Sequence, residues 1–268
     1  MNEAEFNPTE GLFDRYCEAI GYVSVPIPTS EIPTADRMVE TPHGRVVVEV
    51  KGYGFSKADR ALTEELRERH HKIMLGQLGR ARMEEIFRRA RRQLDRPEYA
   101  GLPRVLVVGR HPYVDTGPVA IQAIMYGDPY IAITIGPAGP VGEAESRFPM
   151  RGRLLHPGGP ISAVAVIDEV CPDEAEFSRL LHEENARVMR EEGELERAAA
   201  IVRFLELRER LQAEHPELDL KKLVPCLVVH ENVNAAVALP RAIFWGPHDE
   251  RWGPVGEQYQ EIDRPADR

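Results

Sequence analysis

The stretch of residues 36–51 constrains the fold of this chain more than any other. Residues 45–51 read RVVVEVK, and this density of valine around one glutamate is typical of a β-strand. A turn sequence, TPHG, occupies positions 41–44 directly before it. Residues 36–40 can therefore fold back along the valine strand, and we predict a β-hairpin.

The charged residues of this hairpin share one face in two of its possible registers. A two-residue turn at 42–43 sets Asp36 opposite Glu49, and a turn at 43–44 sets it opposite Lys51. Directly opposed residues share a face of a sheet, as do residues two apart on one strand. A three-residue loop would set a valine opposite Asp36 and separate the charges. The two shorter turns thus predict two carboxylates and an ammonium within a few ångströms.

Such a cluster suits the chemistry of phosphate esters better than it suits a protein core. A hard divalent cation prefers carboxylate oxygens and keeps part of its water, so Asp36 and Glu49 are candidate ligands for Mg²⁺ or Mn²⁺. The ion would activate a water and neutralise charge on phosphorus. Lys51, kept charged by its acidic neighbours, would orient the water or stabilise the pentacovalent phosphorus. The alternative is an ordinary surface Glu–Lys pair of little energetic value.

The motif resembles that of a known group of nucleases. Asp36, a gap of twelve residues and then Glu49-Val50-Lys51 is similar to the restriction-endonuclease-like PD-(D/E)XK nuclease superfamily, although Ala35 stands where a proline is usual. The resemblance implies an αβββαβ core over residues 8–109. It also implies metal-dependent hydrolysis of phosphodiester bonds, with DNA as the favoured substrate and RNA as the alternative.

The resemblance adds two supporting residues to the predicted catalytic set. Glu10 lies on the first predicted helix, where many members place a helical acid, although it can equally be the capping-box acid of Asn7. Gln93 matches the polar residue that many members carry on the helix after the lysine strand, with Tyr99 following it. A polar contact at the end of that helix is the alternative for Gln93.

Periodicity and turn residues extend the prediction to a mixed α/β fold, a central sheet flanked by helices. We treat residues 1–268 as a single domain, in which 110–268 extend the sheet beyond the nuclease-like core and about 173–214 form a helical insertion. Pro225 favours an edge position for its strand. The predicted helices cover 8–20, 57–74, 80–95, 119–125 and two segments of 173–214 broken near Gly193; the predicted strands cover 22–25, 36–40, 45–51, 104–109, 130–135, 161–167, 222–230 and 241–245.

The net negative charge of this chain limits how it can bind nucleic acid. It carries 34 basic and 44 acidic residues, a net charge of −10, so it is not a general nucleic-acid coat. An excess of basic residues between 57 and 96 is compatible with a local phosphate site. The candidates for backbone contact are Arg82, Arg88, Arg89 and Arg92; the alternative is a solvated helix face with ion pairs one turn apart.

The cysteines and the hydropathy of the chain indicate its cellular location. Three widely spaced cysteines without a CxxC pair exclude a zinc ribbon and favour a reducing, cytoplasmic location. No apolar run approaches the length of a membrane helix, so no membrane partner is expected. The sequence predicts a Mg²⁺- or Mn²⁺-dependent nuclease that a partner protein could target to its DNA. The alternative is a catalytically silent binding module of the same fold that acts within a complex.

Overall fold

The computed structural model describes residues 7–28, 32–52, 80–110, 116–127, 130–132, 135–136, 139–140, 145–147, 153–154, 157–192, 197–255 and 258–265, and the predicted helix 57–74 lies outside them. The helices are α1 (Pro8–Ala19), α2 (Arg80–Leu94), α3 (Pro118–Tyr126), α4 (Glu174–Glu192) and α5 (Arg197–Glu214), with a 3₁₀ turn at Pro97–Tyr99. The strands are β1 (Val23–Pro26), β2 (Arg37–Thr41), β3 (Gly44–Lys51), β4 (Arg104–Gly109), β5 (Tyr130–Ala132), β6 (Ile135–Gly136), β7 (Gly139–Pro140), β8 (Glu145–Arg147), β9 (Ala163–Val170), β10 (Val224–Glu231), β11 (Glu250–Val255) and β12 (Gln258–Glu261).

Eight strands form one mixed sheet in the order β1-β2-β3-β4-β9-β10-β11-β12. Strands β1 to β3 are antiparallel neighbours, whereas β3, β4 and β9 run parallel. Strand β11 is parallel to β10 and antiparallel to β12. The short strands pair separately, β5 with β8 and β6 with β7. The predicted mixed α/β architecture is therefore confirmed.

The hairpin adopts the first of its two predicted two-residue registers. Thr41 lies opposite Gly44 and Arg37 lies opposite Val48, so positions 42 and 43 form the turn. The side-chain hydroxyl of Thr41 donates a hydrogen bond of 2.8 Å to the carbonyl of Gly44, which helps to close it. In this register, residues that lie directly opposite each other on β2 and β3 point to the same face of the sheet.

Alternation along β3 buries valine on both faces of the sheet. Val46, Val48 and Val50 belong to a core that includes Phe13 and Tyr16 of α1. Val47 belongs to the opposite core, with side chains of α2 and α3. A strand covered on both faces reads as a nearly continuous apolar run, which explains its composition.

Two glycines allow α1 to begin at the carboxyl ends of β3 and β4. A Cβ atom on Gly52 would lie 2.7 Å from Oδ1 of Asn7, and one on Gly109 would lie 2.7 Å from Oγ1 of Thr9. Asn7 in turn caps the helix by accepting a hydrogen bond of 3.1 Å from the amide of Thr9. A larger residue at Gly52 or Gly109 would therefore have to displace the side chain of Asn7 or of Thr9 at the start of α1.

The structure differs from two of the predictions made for residues 222–245. The strand at 222–230 forms as β10, but it lies between β9 and β11 rather than at an edge. Pro225 is tolerated because β11 pairs with β10 at Val228–His230, beyond the proline. The predicted strand at 241–245 is wrong: these residues form turns, and the carbonyl groups of Arg241 and Ile243 accept hydrogen bonds from Arg251.

Internal contacts divide the chain into two compact units, Met1–Asp168 with Cys226–Arg268, and Glu169–Pro225. The second unit contains the two helices predicted for 173–214, although Gly193 lies outside the described residues. Its small apolar core is formed by Phe177, Leu181, Leu207 and Leu211. Among the helices of the described ranges, none combines the length and the apolar character that crossing a membrane requires.

Candidate active site

The hairpin brings Asp36, Glu49 and Lys51 to one face of the sheet. Asp36 immediately precedes β2, and the register that sets Arg37 opposite Val48 sets Asp36 opposite Glu49. Lys51 lies two residues beyond Glu49 on β3, so its side chain points to the same side. This is the face on which α2 packs, because Val47 shares the alternation of Glu49 and Lys51 and belongs to the core that α2 completes.

The three charged groups are in direct contact. Nζ of Lys51 forms an ion pair with Oε1 of Glu49 and lies 3.9 Å from Oδ2 of Asp36. The amide of Val50 donates a hydrogen bond of 2.7 Å to the same oxygen of Asp36, which fixes that carboxylate. Asp36 and Lys51 retain 24% and 26% of their side-chain exposure, whereas Glu49 has none. The cluster is therefore buried at Glu49 and open to solvent at the other two side chains.

Burial makes Glu49 an unusual carboxyl group. Its pKa is raised to about 8, first by desolvation and then by the nearby charge of Asp36, while Lys51 acts in the opposite direction. No donor in the described part of the chain reaches its buried Oε2 atom. At neutral pH Glu49 thus favours its protonated form, unless a further positive charge compensates the two carboxylates.

A divalent cation fits this donor set. Magnesium is commonly held by one or two carboxylates and keeps several waters, and the unpartnered Oε2 of Glu49 beside Asp36 offers such a pair. The described residues contain no group of three or more His, Cys, Asp or Glu side chains arranged to hold a metal by themselves. Water or substrate oxygens would have to complete the coordination.

The segment at 32–35, which leads into Asp36, is held by the end of α2 and the turn after it. Nε2 of Gln93 donates a hydrogen bond of 3.0 Å to the carbonyl of Thr34. Nη1 of Arg96 donates one of 3.2 Å to the carbonyl of Pro33. The buried Tyr99 is hydrogen-bonded to the backbone of Ala35. Gln93 thus supports the backbone before Asp36 and does not contact the three charged groups in the described geometry.

Arg96 is the residue of this support that sequence reasoning missed. The sequence around Arg96 did not indicate this role, because an arginine between the end of a helix and a proline has no specific meaning by itself. Its ion pair with Glu98 is local in sequence, whereas its hydrogen bond to the carbonyl of Pro33 depends on the return of residues 32–35 past the end of α2, which is a long-range contact.

The structure does not bring Glu10 to the cluster. Its Oε2 lies 3.0 Å from Nη2 of Arg37, and Nε of the same arginine lies 3.0 Å from Oδ1 of Asp14. Arg37 directly follows Asp36, so the two side chains point to opposite faces of the sheet. Glu10 belongs to an ion-pair network on the α1 face, which the sequence did not predict.

The four candidate arginines of α2 are placed differently from one another. Arg88 and Arg89 are exposed and both pair with Glu85 one turn earlier, the second at 2.6 Å. Arg92 is exposed and Arg82 is partly buried. The ion pairs of Arg88 and Arg89 with Glu85 match the alternative prediction of a solvated helix face. Contact of the four arginines with phosphate remains a prediction.

Replacing Glu49 by Gln is expected to stabilise the fold at about pH 8 and to flatten its pH dependence. The folded pKa of about 8 exceeds the ordinary glutamate value of 4.5, so the unfolded chain ionises first and the stability due to Glu49 is lost as pH rises between these values. Glutamine keeps the shape without titrating. Urea unfolding at about pH 5 and pH 8 should show a gain of roughly 1–3 kcal/mol at the higher pH.

The exposed glutamate of β2 supplies the control for this experiment. Glu40→Gln removes the same charge from the same hairpin at an exposed position and should leave the pH profile unchanged. Excess Mn²⁺ should raise the melting temperature of the wild type and of Glu40→Gln more than that of Glu49→Gln. Parallel pH profiles for Glu49→Gln and the wild type would contradict the assigned protonation.

Comparison of the chain with protein-family models, with curated proteins and with solved structures finds no match in any of the three. The function is therefore argued from the arrangement of the chain's own residues. The most specific arrangement is the contact of Asp36, Glu49 and Lys51 at a partly open position on the sheet.

Proposed function

We propose that the protein is a metal-dependent nuclease that hydrolyses phosphodiester bonds, with DNA as its substrate. The observation that carries this proposal is the convergence of Asp36, Glu49 and Lys51. A carboxylate pair in contact with one ammonium, buried on one side and open on the other, is costly for folding and useful for binding a cation and a phosphate. The raised pKa of Glu49 supports the same assignment, because strongly perturbed groups concentrate at functional sites.

The order of elements also supports the proposal. Within the described parts of residues 8–109, helix α1, the antiparallel strands β1 to β3, helix α2 and the parallel strand β4 follow one another. This is the αβββαβ order of a restriction-endonuclease-like core, over the residues for which the sequence motif implies it. We assign residues 8–109 to that core on this basis.

Each residue of the cluster has a separate role in the proposed reaction. Asp36 and Glu49 would hold Mg²⁺ or Mn²⁺, which supplies a lowered pKa for bound water and charge neutralisation at the phosphate. The amide of Val50 fixes the carboxylate of Asp36 through a hydrogen bond of 2.7 Å. The ammonium of Lys51, next to both acids and open to solvent, would orient the attacking water and stabilise negative charge on the phosphoryl oxygens.

Binding of long DNA by the protein alone is expected to be weak. The net charge is −10, and two of the arginines proposed to meet phosphate already pair with Glu85. We therefore propose that a partner protein or a restricted DNA structure directs the enzyme. The free state of Cys17, Cys171 and Cys226 fits a reducing compartment such as the cytoplasm.

A catalytically silent binding module is the second candidate function. It is favoured by the contact of the Lys51 ammonium with Glu49, because an ammonium beside the two acids compensates negative charge there without a metal. The two candidates differ in whether the cluster takes up a divalent ion and whether bound nucleic acid is cut.

A cleavage assay tests the proposal. Purified protein is incubated with single- and double-stranded DNA and RNA in Mg²⁺, Mn²⁺ or EDTA, beside the variants Asp36→Asn and Asp263→Asn. We expect the wild type to cut DNA only with the ions, and Asp36→Asn to lose about 100-fold or more of the rate, because its amide keeps the hydrogen bond from Val50 but loses the charge.

Asp263 is exposed and lies on the tail after β12, so Asp263→Asn should cut like the wild type. No cleavage of any substrate with either ion would reject the nuclease assignment. Binding without cleavage would favour the silent module, and equal rates for Asp36→Asn and the wild type would assign any observed cleavage to another site or to a contaminant.

A further inference from the structure

A further basic side chain lies at the carboxyl end of the strand next to β3. Strands β3 and β4 run parallel, and Lys51, the last residue of β3, lies opposite Val108. Arg110 follows two residues later, and its amide donates a hydrogen bond of 2.9 Å to the carbonyl of Ile167 on β9, which continues the pairing of β4. At the usual strand spacing and rise, the Cα atoms of Lys51 and Arg110 lie about 8 Å apart.

The side chain of Arg110 points to the same face of the sheet as that of Lys51. Directly opposed residues share a face, as do residues two apart on one strand, so Lys51, Val108 and Arg110 share theirs. Val108 belongs to the core that α2 completes, so this is the α2 face. The ion pair of Arg110 with Asp168 agrees, because Asp168 lies two residues beyond Val166, a member of the same core on β9.

The ion pair with Asp168 leaves Arg110 accessible. Nη1 of Arg110 donates a hydrogen bond of 2.5 Å to Oδ2 of Asp168, yet the arginine retains 63% of its side-chain exposure. An ion pair this open contributes little to folding stability. A guanidinium has five N–H donors in a fork that matches phosphate, so Arg110 can bind a phosphate oxygen while it keeps its bond to Asp168.

The position of Arg110 distinguishes it from the exposed arginines of α2. Arg88 and Arg89 pair with Glu85 of their own helix. Arg110 extends the strand that adjoins Lys51, at the carboxyl ends of parallel strands, which is where open α/β sheets bind their ligands. An anion that contacts Lys51 therefore has a second cation beside it.

We propose that Arg110 binds the phosphate next to the one that is cut, so that the DNA strand crosses the carboxyl ends of β3 and β4. Lys51 contacts the two acids of the cluster and serves the reacting phosphate. Asp168 lies on β9, on the side of β4 away from β3, and its bond to Arg110 directs the guanidinium to the neighbouring phosphate. This inference rests on the proposed nuclease function and adds to it the path of the substrate.

Equilibrium binding of DNA measures this contact without cleavage. A short fluorescein-labelled duplex, and its labelled strand alone, are titrated with the full-length protein in EDTA, and fluorescence anisotropy is read between about 50 and 200 mM NaCl. Arg110→Met should weaken binding about 3- to 10-fold and lower the salt slope of duplex binding by about one, because one phosphate contact is lost. Arg110→Lys keeps the charge and should restore the slope.

Two further variants separate this role from a structural one. Arg45→Met removes the same charge from an exposed position at the opposite end of β3, and it should bind DNA like the wild type. Asp168→Asn breaks the same ion pair as Arg110→Met but removes a negative charge, so it should bind at least as tightly as the wild type. In Mg²⁺, Arg110→Met should raise KM and leave kcat nearly unchanged, as expected for a contact made equally before and during the reaction.

The outcomes distinguish this contact from the nuclease assignment. Equal DNA binding by Arg110→Met and Arg45→Met overturns the contact, as does equal weakening by Arg110→Met and Asp168→Asn. A wild type that binds neither DNA at about 50 mM NaCl also overturns it. Binding that depends on Arg110 without any cleavage supports the contact and rejects the nuclease, whereas cleavage by Arg110→Met with the wild-type KM supports the nuclease and rejects the contact.

Discussion

Lys51→Met is expected to slow cleavage strongly while leaving divalent-ion binding intact or stronger. The ammonium contacts Glu49 and lies 3.9 Å from Oδ2 of Asp36, so it competes with an added cation for the same two carboxylates. Methionine keeps most of the length of the side chain and removes the charge. The metal should then bind at least as well, while the reaction loses the group that orients water and stabilises the phosphoryl oxygens.

The expected loss of rate is about 10²–10³-fold, the usual effect of removing one preorganised electrostatic group. Cleavage rate and the shift of melting temperature with Mn²⁺ are measured on the same preparation. Arg45→Met is the matched control, because Arg45 is an exposed cation at the far end of the same strand. A cleavage rate in Lys51→Met equal to that of the wild type would remove Lys51 from the proposed mechanism, and loss of the Mn²⁺ shift would make it a structural residue.

Arg251→Met is expected to lower the free energy of unfolding by about 3–5 kcal/mol. The guanidinium of Arg251 is fully buried and donates a hydrogen bond of 2.7 Å to the carboxylate of Glu231. It also donates to the carbonyl groups of four loop residues, Leu239, Pro240, Arg241 and Ile243. Methionine fills a similar volume but leaves the Glu231 carboxylate and these carbonyls without their donor.

Thermal unfolding followed by circular dichroism should show a decrease of roughly 10 °C for a change of this size. Arg241→Met is the control, because Arg241 is 52% exposed and lies 3.6 Å from the same glutamate. A partly solvated pair of this kind contributes up to about 1 kcal/mol. Equal effects of the two substitutions would contradict the central role of the buried arginine.

Local patterns were sufficient for the hairpin that carries the site. Its strand composition, its turn and its two-residue periodicity depend on neighbours in sequence, so they predicted that Asp36, Glu49 and Lys51 share a face. The structure selects one of the two predicted turns and adds the contact distances. Helix α1 was predicted on similar grounds, from its cap and its apolar stripe.

Patterns failed where a residue's role depends on a distant partner. Glu10 has the same sequence context whether it reaches the cluster, caps α1 or pairs with Arg37, and only packing of α1 on the sheet selects Arg37. Residues 241–245 resemble a strand, because aliphatic and aromatic residues dominate them. They form turns in which the carbonyl groups of Arg241 and Ile243 accept hydrogen bonds from Arg251, some ten residues later.

Position within the sheet was equally beyond local information. Pro225 disfavours a central strand, yet β10 lies between β9 and β11, and its pairing with β11 begins at Val228, beyond the proline. The hydroxyl of Tyr16 donates a hydrogen bond of 2.5 Å to Asp249, and the rings of Phe13 and Phe244 lie 6.2 Å apart. These contacts join the first helix to the segment that precedes β11.

The amino-acid order therefore specifies which side chains alternate, where the chain turns and which charges can meet across a hairpin, because those properties arise within a few residues. The protonation of Glu49, the support of Asp36 by α2 and the burial of Arg251 arise only when separate segments pack and exclude water. Desolvation depends on everything that surrounds a group, and for this reason no short stretch of sequence contains it.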